Sequence, residues 1–308
     1  MKGDIASTAA GVFPASSGSQ SERKFLYWSP WLLLFAMLWF AGLFALSRDP
    51  LGLLKHNWIF IPVGFAGALL GNISAVGGGI VFIPVMIFVF QLPAVTALKV
   101  ALASQSWGMT SGAIGWLQTK AVPLRALKVA VPGLLIGSTV SSLVIHPNAL
   151  LVKLLFGPVS ILLGVLTLVL AGRTARAVRT DIPAGAMAPL FFVAVAGGLL
   201  TGWVAIGEGE VVAALLMLAY GVEVTACIGL GVVLLSVNSI FLALIHQFQL
   251  GGIPWDIAAF TGLGCVFGAR LAPWLSRHAN PIALKSLFAA VAICDGVLFI
   301  VQYAVMHR

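Results

Sequence analysis

An all-helical bundle embedded in a membrane is the fold this sequence predicts, on three observations. Of its 308 residues 60% are hydrophobic and 8% charged, with a mean hydropathy of +1.08, so too few polar residues remain to cover a water-soluble surface of that size. Apolar stretches long enough to cross about 30 Å of hydrocarbon as helices recur along the chain. No run shows the alternation, over about ten residues, of an outer-membrane barrel strand. The formal charge of +8 fits basic loops beside hydrophobic spans, because Lys and Arg favour the cytoplasmic side; it is not read as a nucleic-acid footprint.

Residues 1–30, rich in Ser, Ala and Gly, lack hydrophobic periodicity and read as a flexible N-terminal tail. Residues 31–46 form an additional N-terminal transmembrane helix; the long polar lead, and no small-x-small pattern in Leu46-Ser47-Arg48-Asp49, favour a retained anchor over a cleaved signal. A first repeat over 57–171 contains five hydrophobic elements, near 57–76, 78–91, 94–118, 124–145 and 149–171. A basic cytoplasmic linker, 172–185, leads to a second repeat over 186–305, with elements near 186–206, 208–220, 222–246, 254–275 and 281–305. The second element of each set is short, which suits either a tilted span or part of a re-entrant hairpin. Cys227, Cys265 and Cys294 lie singly in apolar segments and read as small core residues.

The two sets align. At an offset of 130 residues Ala66-Gly67 meets Ala196-Gly197, Leu69-Leu70 meets Leu199-Leu200, and Gly77-x-Gly79 meets Gly207-x-Gly209. At 131 Pro123 meets Pro254, Gly133 meets Gly264 and Gly137 meets Gly268; at 132 Phe156 meets Phe288 and Gly164 meets Gly296. An ordered series with two one-residue slips points to duplication.

Positive charge orients the halves. Lys2, Arg23 and Lys24, then Lys120, Arg125 and Lys128, then Arg173, Arg176 and Arg179, then Arg270, Arg277 and Lys285 account for twelve of the seventeen Lys and Arg. These four groups share one face only if the first two elements of each half form a hairpin, so that each half crosses an odd number of times. The second half is then inverted relative to the first, with discontinuous helices meeting near the midplane. The expected setting is a bacterial inner membrane, with the N-terminus cytoplasmic and the C-terminus, ending His307-Arg308, periplasmic.

Gly67-Ala68-Leu69-Leu70-Gly71 leading into Val76-Gly77-Gly78-Gly79-Ile80-x-x-x-Pro84, followed by a helix start from Ala97 to Ser106, resembles the TauE/SafE sulfite exporter family over about residues 57–305. That resemblance implies secondary transport, as an exporter, of small sulfur-containing anions such as sulfite or organosulfonates, with no cofactor. The second copy departs from the pattern: Gly207-Glu208-Gly209-Glu210 replaces a pure glycine run, and Ala214 stands where Pro84 stood.

The residues at the breaks suit that chemistry. Glycines let the backbone leave helical geometry and let a ligand approach closely, and amides at a helix start attract oxyanions. Gly77, Gly78, Gly79, Gly207 and Gly209 are therefore candidate substrate-binding residues. Lys99 is a cation within the first half's helices, with Ser104, Gln105 and Ser106 one to two turns further on; it either pairs with the anion or snorkels to the headgroups. Ser236 and Asn238 match Ser106 and Gly108 and are read as polar lining or as interhelical hydrogen-bond pairs. An acid at membrane depth is costly to ionise and so suited to taking up and releasing a proton, which makes Glu208, Glu210 and Asp295 candidate proton-coupling residues; Glu223 is read as interfacial. Trp107 and Trp203 lie near the breaks, as cavity wall or as packing.

An enzyme would need a catalytic set, and the sequence has no His-Glu-x-x-His, Gly-x-Ser-x-Gly or Gly-x-x-x-x-Gly-Lys. No metal site is expected, since the histidines lack ligand spacing. The competing reading is a carrier for a metal or organic cation held by the intramembrane carboxylates. A small sulfur-containing anion, protons and the bilayer are the expected partners, nucleic acid is not, and a homo-oligomer is left open.

Overall fold

The computed structural model describes residues 30–74, 77–118, 122–172, 182–278 and 281–306, and among them it is all-helical with no strand. Two compact units are distinguished, Met1–Pro50 and Leu51–Arg308. In the first, α1 (Pro30–Leu46) is an apolar helix. α2 (Pro50–Asn57) starts on the last residue of the first unit and otherwise belongs to the second, where α3 (Phe60–Ser74) follows. The second unit continues with α4 (Gly79–Pro84), α5 (Ala94–Gln118), α6 (Leu124–Thr139) and α7 (Ala149–Gly172), then α8 (Met187–Val204), α9 (Glu208–Ala214), α10 (Val224–Phe248), α11 (Trp255–His278) and α12 (Pro281–Met306). The tail, most of the basic linker and Val76 lie outside the described residues.

Four stretches are individually long and apolar enough to span a membrane: Leu124–Val144, Ala149–Val169, Ala184–Val204 and Ala226–Phe248. The sequence expectation of one element from residue 57 needs correction at its start. Pro50 opens a separate helix, a position where a missing amide costs nothing, and Lys55 and His56 close it. The chain then bends by 54° into α3.

Proline also sets other helix starts: Pro93, Pro123, Pro183 and Pro254 stand just before α5, α6, the short 3-10 turn leading into α8, and α11. The short helices finish alike. α4 runs into a π-helical turn, Val85–Val89, and α9 into another, Leu215–Ala219. Gln91 and Gly221 then take positive φ, 55° and 65°. Past them the amide of Leu92 bonds the Met86 carbonyl at 2.9 Å and that of Val222 the Leu216 carbonyl at 3.0 Å, which satisfies a buried helix-end carbonyl in each copy. Every one of these pairs is separated by 130 residues. The second copy makes the π turn without Pro84's counterpart, so proline is not what creates it.

Packing between the two sets is reciprocal. α3 packs on α11 and α6 on α8; α5 packs on α10, and α7 on α12. Matched glycines do matched work: a Cβ on Gly264 would lie 1.9 Å from the Ile61 oxygen and one on Gly268 2.2 Å from that of Phe65, while Gly133 and Gly137 press against the oxygens of Phe191 and Val195 at 2.6 and 2.0 Å. Glycine here lets helix backbones touch. Gly164 meets the Ala289 oxygen and Gly296 that of Gly157 in the same way, at 3.0 and 2.6 Å.

These contacts also give direction. Residues rise together along α3 and α11, and along α6 and α8, so those pairs run parallel. Along α5 and α10, Gln105 meets Ser239 while Thr110 meets Ser236, so these matched helices run antiparallel, as do α7 and α12. At Gly67 an added Cβ would strike Phe82, and at Gly71 it would strike Gly77 and Gly78; at Gly197 it would meet Glu208. The chain therefore folds back on itself at each break. Cys227 and Cys265 are buried, but Cys294 is exposed on α12, which corrects its reading as a core residue.

Candidate functional site

The two breaks meet. Gly77 holds φ +98° and Gly207 φ +106°, conformations that side-chain-bearing residues rarely adopt. A Cβ on Gly79 would lie 2.5 Å from the Ala205 oxygen and 2.9 Å from Ile206 Cγ2, and one on Gly77 would lie 3.3 Å from Gln105 Oε1. Only a bare backbone allows the first break to sit against the second this closely. Gln105, on α5, joins them: its Nε2 donates to the Ala205 carbonyl at 2.7 Å, and its Oε1 accepts from Ser239 Oγ of α10 at 3.3 Å. Ala205 itself has φ +56°, so the end of α8 closes in a left-handed residue whose carbonyl is turned to this partner.

Glu208 and Glu210 open α9 on the inner side of the second break, with exposures of 0% and 2%. Each acid has one partnered oxygen. Asn238 Nδ2 donates to Glu208 Oε2, and Asn238 Oδ1 in turn accepts from Ser138 Oγ of α6 at 2.6 Å. Thr167 Oγ1 of α7 donates to Glu210 Oε1. Glu208 Oε1 and Glu210 Oε2 are buried with no partner, so both acids keep acceptor capacity that the protein does not use. Gly209 is buried between them.

The other candidates divide. Ser104 is buried next to Gln105 with its hydroxyl unpartnered. Ser106 donates to the Ala103 carbonyl of its own helix, and Ser236 pairs with Thr110 at 2.8 Å across α5 and α10, the interhelical alternative raised for it. Asn238 joins the acid rather than standing apart as lining. Lys99 does not reach the cluster: its Nζ donates to the Leu250 carbonyl in the turn after α10. It precedes Gln105 by six residues, about 9 Å of helix. Asp295 is half-buried on α12, which packs on α7. Glu223 ends the extended residues before α10.

Trp107 packs on α11, filling the space over Gly262. Trp203 Nε1 donates to the carbonyls of Ser141 and Ile145 at 3.1 and 3.0 Å, closing the π turn Val140–Val144 that ends α6. Sequence reasoning passed over Ser138, Thr167 and Ser239. The available signal was a hydroxyl in an otherwise apolar helix, but nothing local says which polar group such a hydroxyl will meet: Glu210 for Thr167, Asn238 for Ser138 and Gln105 for Ser239.

An all-helical bundle with spans of membrane length, and two interrupted helices meeting in its buried interior, has the architecture of a membrane transporter. A family model for the sulfite exporter TauE/SafE matches residues 59–299, and the chain belongs to that family. It is a membrane transporter of the anion-exporter type, not an enzyme. No curated protein and no solved structure matches the chain.

Proposed function

We propose that this protein exports a small sulfur-containing oxyanion, sulfite or an organosulfonate, through a proton-linked cycle in a bacterial inner membrane. The observation that carries this reading is the meeting of the two breaks around Gln105, beside two buried acids. Amides at the start of α4 and the amide groups of Gln105 and Asn238 are donors suited to sulfite or sulfonate oxygens. The substrate is held at the glycine breaks, beside the contact between Gly77–Gly79 and the end of α8, with Ser104 able to turn its unused hydroxyl toward it. Lys99 acts at the edge, attracting the anion rather than gripping it.

Glu208 and Glu210 give the cycle its proton dependence, with Asp295 a weaker third. An ionised acid beside the site repels an anion and a protonated one does not, so proton uptake permits binding and proton loss favours release. The antiparallel run of matched helices α5 and α10, and of α7 and α12, supports an inverted repeat. Such a repeat can open alternately to either side by rocking about a fixed site. In this orientation the N-terminus is cytoplasmic and the C-terminus periplasmic.

Thermal-shift measurements on the purified protein with sulfite, thiosulfate, sulfonates, small carboxylates and divalent cations, at two pH values, test the reading. Stabilisation by sulfur oxyanions, stronger at the lower pH, is expected. Stabilisation by cations alone would overturn it in favour of a cation carrier.

A further inference from the structure

The polar partners of Glu208 do not end at Asn238. Ser138 Oγ, bonded to Asn238, also lies 3.3 Å from the Gly198 carbonyl. Ser141 Oγ donates to the Ser138 carbonyl at 3.1 Å. One residue on, the hydroxyl of Ser142 is buried and unpartnered, and the Ser142 carbonyl accepts from Nδ1 of His146 at 2.6 Å. Ser138, Ser141 and Ser142 are fully buried, whereas His146 is exposed where α6 ends. From Ser138 to the end of the π turn at Val144 this face covers about 9 Å of helix, and His146 follows two residues later.

Helix packing does not require it. In α11, the matched helix, offset by 131 residues, Ala269, Ala272 and Pro273 stand where α6 has Ser138, Ser141 and Ser142. At the other break Gly78 and Gly108 stand in place of Glu208 and Asn238. Facing the serines, Gly202 of α8 leaves space, since a Cβ there would fall 1.9 Å from Ser141 Oγ; Asn72 occupies the matched position on α3 and bonds its own helix at Ala68. The whole polar series, from acid to surface, is thus confined to one of two equivalent places.

We propose that this serine face of α6 is the route by which protons reach Glu208 from the side of the membrane where His146 lies. The proposal rests on the reading of Glu208 as a coupling acid. In the orientation given above that side is periplasmic, because α6 begins at the basic cytoplasmic group Arg125 and Lys128. A proton from the outer solution adds to the Glu208 carboxylate by way of water drawn to the serine hydroxyls during turnover, and Trp203, bonded over the π turn, covers the outer end. Glu210, two residues on, is the other titratable group of the break; α8 carries none, Glu223 precedes α10, and Lys153 on α7 and Cys227 and His246 on α10 lie toward the ends of those helices.

Two variants in proteoliposomes test the route, with Cys294→Ser as background because Cys227 and Cys265 are buried. Ser142→Cys is expected to react with a charged, membrane-impermeant thiol reagent applied on the His146 side during turnover, and reaction should stop flux driven by a pH gradient. Ser142→Val is expected to slow gradient-driven flux about tenfold, the scale of one lost hydrogen bond to a charged species, and to leave substrate exchange at equal pH unchanged. Reaction from the opposite side only, no reaction, or full gradient-driven flux in Ser142→Val overturns the route. If Glu208→Gln retains full gradient dependence, the coupling reading beneath it falls instead.

Discussion

Replacing Gly264 by alanine places a methyl carbon 1.9 Å from the Ile61 carbonyl oxygen, and Gly137→Ala places one 2.0 Å from that of Val195. Ordinary contact begins at 3.4 Å, so α3 and α11, or α6 and α8, must separate by about 1.5 Å. The obstacle is backbone and cannot rotate away, which puts the cost at the upper end of the overpacking range, about 3 kcal/mol for each variant. At about 2–4 °C per kcal/mol for a chain this large, each should melt about 6–12 °C below the parent. Because the two glycines lie in different helix pairs, the double variant should show nearly the sum. Gly185→Ala, with nothing within 4 Å of its new methyl, is the control and should melt with the parent. Thermal unfolding of detergent-purified protein by intrinsic fluorescence reads all four. If Gly264→Ala and Gly137→Ala melt with the parent, the matched backbone contacts are not there and the reciprocal packing is wrong.

Three further outcomes are expected. Gln105→Leu removes the donor to the buried Ala205 carbonyl; it should destabilise by about 1–3 kcal/mol and lower sulfite affinity in the thermal-shift assay, and a variant that binds sulfite normally would remove Gln105 from the site. Gly207→Ala forces a side chain into φ +106° at a cost of about 1–3 kcal/mol; flux should fall more than in Gly209→Ala, whose residue is helical, and equal flux in the two would count against the break as a functional geometry. A membrane-permeant maleimide should modify Cys294 alone in the folded protein, because Cys227 and Cys265 are buried; peptide mapping that finds Cys265 modified first would contradict the packing of α11.

Much of the fold is legible because helical spans in lipid must be long, apolar and continuous. The element expected at 94–118 is α5, and those expected at 124–145 and 149–171 differ by a residue from where the helical turns end. The bend at Asn57 was not legible, since Lys55 and His56 look like a loop beside a span. Nor were the π turns, which depend on backbone register rather than composition. At the site, Gly77, Gly207, Gln105 and the two acids announced themselves by being improbable in a bilayer. Their partners did not: Thr167, which bonds Glu210, stands 43 residues before it, and Ser138, which reaches Glu208 only through Asn238, stands 100 residues before that asparagine, and a lone hydroxyl carries no address. For Lys99 the sequence leaves two readings, pairing with the anion or snorkelling from a helix start; its Nζ donates to the Leu250 carbonyl in the turn after α10, a contact that local sequence does not specify.

The most direct measurement is sulfite flux from proteoliposomes containing the purified protein, under an imposed pH gradient and without one, for the parent and for Glu208→Gln combined with Glu210→Gln. Sulfite movement should be accelerated by the gradient in the parent and should no longer respond to it in the double variant. No sulfite movement by the parent, or the same gradient response in both proteins, would contradict proton-linked export.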